Sequence, residues 1–175
     1  MGLAERLAGR GSGPGRPRTV DLRRAVSTAY YGLFHGWTWA AAAGLLEDPD
    51  DDRVSAVARW ISHSDILELS KAVLLANGSV TRNKVNAARH IEPVLMRPIG
   101  EDVVGICRSF ARVQEERHKA DYDRDYMIHR RAALEIVDEA GQAWRTLWRL
   151  QSERDSNIVL LLRLSFGATR VARTY

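Results

Sequence analysis

The 175-residue sequence has one cysteine, Cys107, and only three lysines, Lys71, Lys84 and Lys119, among 26 basic residues. A single thiol excludes a disulfide framework and a multi-cysteine zinc site. It fits a reducing compartment, so a cytoplasmic location is expected. The N-terminus lacks the pattern of a charged segment, a short apolar core and a small-residue cleavage site, so no secretory signal is read. No stretch alternates apolar and polar residues between turn signals, and no internal repeat recurs. A sheet and a repeat array are both disfavoured. Signatures of chemistry are missing too: there is no glycine-rich phosphate loop after a strand, no His-Glu-x-x-His and no serine elbow. The histidines, His35, His63, His90, His118 and His129, keep no metal-ligand spacing with one another, with Cys107 or with a carboxylate. Neither a metal nor another cofactor is expected.

What is present suits one globular domain, with 45% hydrophobic and 27% charged residues. The net charge of +4 raises the question of nucleic acid, but its distribution is uneven. Residues 1–19 carry four arginines against Glu5, and residues 163–175 carry three arginines and no acid. The remainder is slightly acidic, so attraction to phosphate would come from the ends or from a local patch. Residues 9–18 are rich in Gly, Pro and Arg and offer little apolar surface, so residues 1–19 are read as a flexible basic lead-in.

Helical periodicity dominates the rest. Leu22, Val26, Ala29, Tyr30, Leu33, Trp37, Ala40 and Ala41 recur at three- and four-residue steps and predict one helix over 20–46. The run Asp48 to Asp52 ends it and opens a second helical stretch through Val54, Val57, Ala58 and Ile61. The residues Ser62 to Asp65 interrupt that stretch, with Asp65 and Glu68 spaced as a reciprocal cap, and Asn77-Gly78 stops it. A short helix is read around 84–91, between breaks at the stop and at Pro93. Later helices are expected from Glu101 to about Asp121 and from Met127 to Leu150. Residues 158–164 are apolar, and periodicity leaves helix and strand both open. The fold class is all-α: an antiparallel up-and-down bundle of four to five helices over 20–155, followed by a basic, apolar segment over 156–175.

Residues 25–46 contain no charged side chain and match a membrane span in length. They also hold Ser27, Thr28, Tyr30, Tyr31, His35 and Thr38, which is too polar for a span, and no membrane association is expected. Thr28, Gly32, Gly36, Ala40 and Gly44 form a ridge of small residues. It permits close approach either by the next helix of the chain or by a second copy.

The densest polar cluster runs from Arg112 to Tyr126. Arg117 and Asp121 are four apart, as are His118 and Tyr122, and as a pair these fit a salt-bridged helix end. The functional alternative uses His118 as a proton carrier and Arg112 as a phosphate holder. Six residues at about 100° each put Arg112 and His118 on different helix faces. A catalytic site would therefore need two copies of the helix meeting across a two-fold axis. Tyr30 lies on the apolar face and is assigned to the core. Tyr31 and His35 either line a cleft or bond each other.

Two segments carry a resemblance. Arg24 to His35 (RAVSTAYYGLFH) resembles the first-helix signature of HEPN domains, and Arg117 to Asp123 (RHKADYD) resembles the later signature of the same family. They stand in the family's order, and the resemblance spans about residues 20–152. It implies a helical bundle that forms homodimers. Many such domains are metal-independent endoribonucleases of toxin–antitoxin, defence or RNA-processing systems. Others are non-catalytic and bind RNA, nucleotides, or a nucleotidyltransferase or antitoxin partner. Catalytic members carry an Arg and, four to six residues on, a His, which here are Arg112 and His118, with Arg117, Asp121 and Tyr122 in support. The implied reaction is attack of a ribose 2′-OH on the adjacent phosphorus. His118 would move the proton and Arg112 would stabilise the charge that develops. Catalytic members usually place a polar residue directly after the Arg; this chain has Val113.

Overall fold

The structure, a computed structural model, describes residues 2–10, 17–78 and 91–168. Among them there are seven α-helices and no strand: α1 (Gly2–Leu7), α2 (Thr19–Leu46), α3 (Val54–Ala58), α4 (His63–Ala76), α5 (Glu101–Tyr122), α6 (Arg130–Ser152) and α7 (Ser156–Leu164), with a 3-10 turn over Glu92–Val94. The chain is an all-α bundle. The helix read around 84–91 lies outside the described residues.

The apolar stripe of α2 is broad enough to bury the helix on several sides. It packs against α5, α6, α1, α3 and α7, so it is the central post of the molecule. Tyr30, Leu33, Trp37, Ile66, Leu69, Ile106, Phe110 and Leu147 form the fully buried centre. Contacts between helix ends give directions. Arg23, near the start of α2, reaches the carbonyls of Ala120 and Asp123 at the end of α5, so these helices run antiparallel. On α6, Glu139 pairs with Arg112 and Arg149 with Asp102, so α5 and α6 are antiparallel as well.

Local chemistry explains where helices begin and end. α4 starts at a capping box: the Ser62 hydroxyl accepts from the Asp65 amide at 3.2 Å, and the Asp65 carboxylate accepts from the Ser62 amide at 3.3 Å. The interruption falls where the sequence places it, but the reciprocal pair is Ser62 with Asp65, three residues before Asp65 with Glu68. α4 closes at Ala76, and Gly78 takes a left-handed φ of 73° there. The 156–164 stretch resolves as a helix because Asp155 caps it, accepting from the amides of Asn157 and Ile158.

Both ends of the described chain join the core; most of the Gly/Pro/Arg-rich stretch, residues 11–16, lies outside the described residues. Ala4 and Ala8 are fully buried, and Arg130 of α6 donates to the carbonyls of Ala8 and Gly9. Alanine buries little surface but lets helices approach closely, so α1 sits tightly on α2 in spite of its shortness. Ile158, Leu161 and Leu162 of α7 are buried too. Trp37 of α2 donates to the Ser165 hydroxyl at 2.8 Å. The small-residue ridge of α2 faces α6. A Cβ at Gly36 would overlap the indole of Trp144, and Gln151 donates to the Ala40 carbonyl. Cys107 is fully buried, and burial pushes its thiol up to about 12. Among the described residues no helix is long and apolar enough to cross a membrane.

Candidate functional site

The two signature segments meet at the junction of α2 and α5. The centre is Arg117. Its Nη2 donates to the Tyr31 hydroxyl at 2.6 Å, and its Nε lies 2.7 Å from the Asp121 carboxylate. The guanidinium carbon stands 5.3 Å from the ring centres of both Tyr31 and Tyr122, and 5.7 Å from that of Tyr30. The other oxygen of Asp121 accepts from Ser27 at 2.5 Å. One planar cation therefore joins two helices through an acid, a phenol and three rings.

Arg23 finishes the junction. Its guanidinium serves the carbonyls of Ala120, Asp123 and Arg124. The Ala120 carbonyl is one that the helix end leaves without an intrahelical partner, and Asp123 and Arg124 follow directly, so a side chain of α2 closes α5. Beyond it, Glu116 accepts from Tyr126 at 2.6 Å and from Lys119 at 2.8 Å. Burial works against ionisation of Glu116, but these two donors outweigh it and hold the carboxyl below its usual range.

A buried layer lies under the clamp. The Tyr30 hydroxyl and the His63 Nδ1 are 2.5 Å apart, and the His63 ring stacks on Phe34 with centres 3.8 Å apart. Burial raises the Tyr30 phenol well above its ordinary value. Burial first, then the Arg117 and His35 charges, lower the His63 imidazole. His63 is the first residue of α4, where the positive end of the helix dipole also disfavours a second positive charge.

The expected site residues divide into two groups. Tyr31, Arg117, Asp121 and Tyr122 are brought together. His35 is exposed at the edge, stacked against Tyr31 with centres 6.2 Å apart, so the pair makes ring contact, and the Tyr31 hydroxyl goes to Arg117. Arg112 and His118 are not brought together within the protomer. Arg112 turns to α6 and donates to Glu139 at 2.6 Å, whereas His118 is exposed with its ring 5.0 Å from Tyr122. Val113, between them, is fully buried. Sequence reasoning missed Ser27, Arg23 and His63. Only an accurate pairing of α2 with α5 and α4 would have found them, since their partners lie 33 to 101 positions away.

Beside the clamp, a groove of 610 Å³ opens between α1 and α2. Leu3, Leu7 and Val20 form an apolar wall. Arg24, Ser27, Thr28, Tyr31 and Asp121 form the polar side. Among the described residues no group of three or more His, Cys, Asp or Glu is placed to hold a metal ion.

No family model, no curated protein and no solved structure matches this chain. The geometry of its own residues therefore carries the functional argument.

Proposed function

We propose that the chain is a HEPN-type helical module that works by binding a partner, and that its signature residues hold the fold together. The observation that carries this reading is how those residues are used. Arg117, Asp121, Tyr31 and Ser27 are committed to one another across the α2–α5 junction. The carboxylate beside the Arg117 guanidinium neutralises its charge, and the bond to Tyr31 fixes its orientation across two helices, so it is held as a structural tie rather than as an open phosphate site. Arg112, the other cation of the expected pair, is occupied by Glu139.

A second reading, a metal-independent endoribonuclease acting as a homodimer, is favoured by one fact. Both side chains of the Arg112/His118 pair reach the surface of α5; Arg112 is 56% exposed, and an exposed ion pair of this kind is weak enough for a phosphate to displace. A two-fold partner would supply the missing convergence.

One experiment separates the two. Purified protein is incubated with single-stranded RNA in excess chelator, alongside Arg112→Ala and His118→Ala. The module reading expects intact RNA in all three samples. RNA ending in 2′,3′-cyclic phosphate with the native chain, and none with either variant, would overturn it in favour of the nuclease.

A further inference from the structure

We propose that the groove between α1 and α2 receives an amphipathic helix of a partner protein. That helix would be apolar toward Leu3, Leu7 and Val20 and would carry a carboxylate opposite Arg24. The proposal deepens the module reading above and rests on it.

The first argument is the orientation of α1. This helix turns Ala4 into the core with Ala8 just beyond it, rests Leu7 half-buried between core and groove, and leaves Leu3 toward the groove. Leu3 is 54% exposed, and Val20 across the groove is 46% exposed. Burying a leucine stabilises far more than burying an alanine, so covering Leu3 offers a gain that the bundle itself leaves unused. The second argument is spacing. Leu3 and Leu7 are four apart on one wall, and Val20, Arg24 and Thr28 are four apart on the other. Two such ridges leave the furrow into which the ridge of a third helix packs. The lining elements are helical, and a helix presents no ladder edge to an extended strand.

Charge selects the partner. Asp121, on the groove wall, is neutralised by Arg117 and Ser27, and Glu5 of α1 is held by Arg10 at 3.0 Å. Arg23 is spent on carbonyls, and Asp21 is held by Arg18 at 3.1 Å. Arg24 is exposed and donates no hydrogen bond among the described residues; it acts on Asp21, one turn before it, only through its charge. The groove thus presents apolar side chains on both walls with the Arg24 cation beside them, which matches an apolar helix face with an acid at its edge.

The test uses the full chain and a fluorescein-labelled helical peptide of leucine, alanine and glutamate, with a control peptide carrying lysine in place of glutamate. Anisotropy should report saturable binding of the glutamate peptide. Binding should weaken about tenfold or more in both Leu3→Asp and Arg24→Glu, and Arg24→Glu should shift the preference to the lysine peptide. Both positions are exposed, and unchanged thermal midpoints would show that the variants fold. The proposal is overturned if the glutamate peptide does not saturate or if Leu3→Asp binds it equally well. It is also overturned if dodecanoate binds the groove and the peptide does not, or if sedimentation shows a native self-association that Leu3→Asp abolishes, which would assign the groove to a second copy. Loss of peptide binding with RNA still intact would sink this proposal and leave the module reading in place.

Discussion

At the scale of single residues, Arg117 decides how α2 and α5 are held. Its side chain is largely buried, so removing it strands Asp121 and the Tyr31 hydroxyl without their cation. Arg117→Ala should cost about 2–3 kcal/mol, read as a lower urea midpoint with an unchanged slope. His63 gives a pH dependence whose sign follows from its lowered folded value. The unfolded chain takes up a proton near the ordinary histidine range, about pH 6.5, and the folded chain resists it. The stability involved is fully present above that range and is lost as pH falls through it toward the lowered folded value. Urea midpoints should hold between pH 8 and 7 and decline below pH 6.5, and His63→Gln should flatten that decline. An equally steep decline in the variant would assign the effect to other groups.

At the scale of helices, two glycines with opposite surroundings make a paired test. Gly36 of α2 lies against the Trp144 indole, where an added methyl has no room. Gly105 of α5 faces open space, with nothing within 4 Å of where a Cβ would stand. Gly105→Ala should stabilise by about 0.5–1 kcal/mol through helix propensity alone. Gly36→Ala should destabilise by about 1–2 kcal/mol, because overpacking exceeds the same propensity gain. Thermal midpoints moving in opposite directions would confirm both. The helices themselves were readable from the sequence, since Leu22 to Ala41 and Val103 to Val113 repeat with the helical period. Periodicity reports which face of a helix is apolar, but it does not report which neighbour covers that face. For that reason Arg117 with Asp121, four apart on one helix, could be anticipated. Arg117 with Tyr31 could not, because it depends on the register between two helices 86 positions apart. α1 is too short to announce itself by periodicity, and its contribution comes from close approach at Ala4 and Ala8.

At the scale of the whole molecule, α2 touches most other helices, so the bundle has one centre and the short terminal helices close its sides. α1 is tied down by Arg130 on the Ala8 and Gly9 carbonyls and by Arg10 on Asp138 at 2.6 Å. Deleting residues 1–10 should lower the thermal midpoint by several degrees while leaving a cooperative helical transition, because the central helices keep their own contacts. A loss of cooperativity on circular dichroism would show instead that α1 is part of the nucleus of the fold.

The solitary thiol turns this architecture into its own stopwatch. Cys107 sits in the middle of the bundle, beyond the reach of any reagent dissolved in water, with its proton held on by its surroundings. A thiol-reactive dye can mark it only after the helices part. With the dye concentrated enough to react before the helices close again, the rate at which colour develops in the absence of denaturant counts how often the native molecule opens, with no label to engineer and no second thiol to subtract.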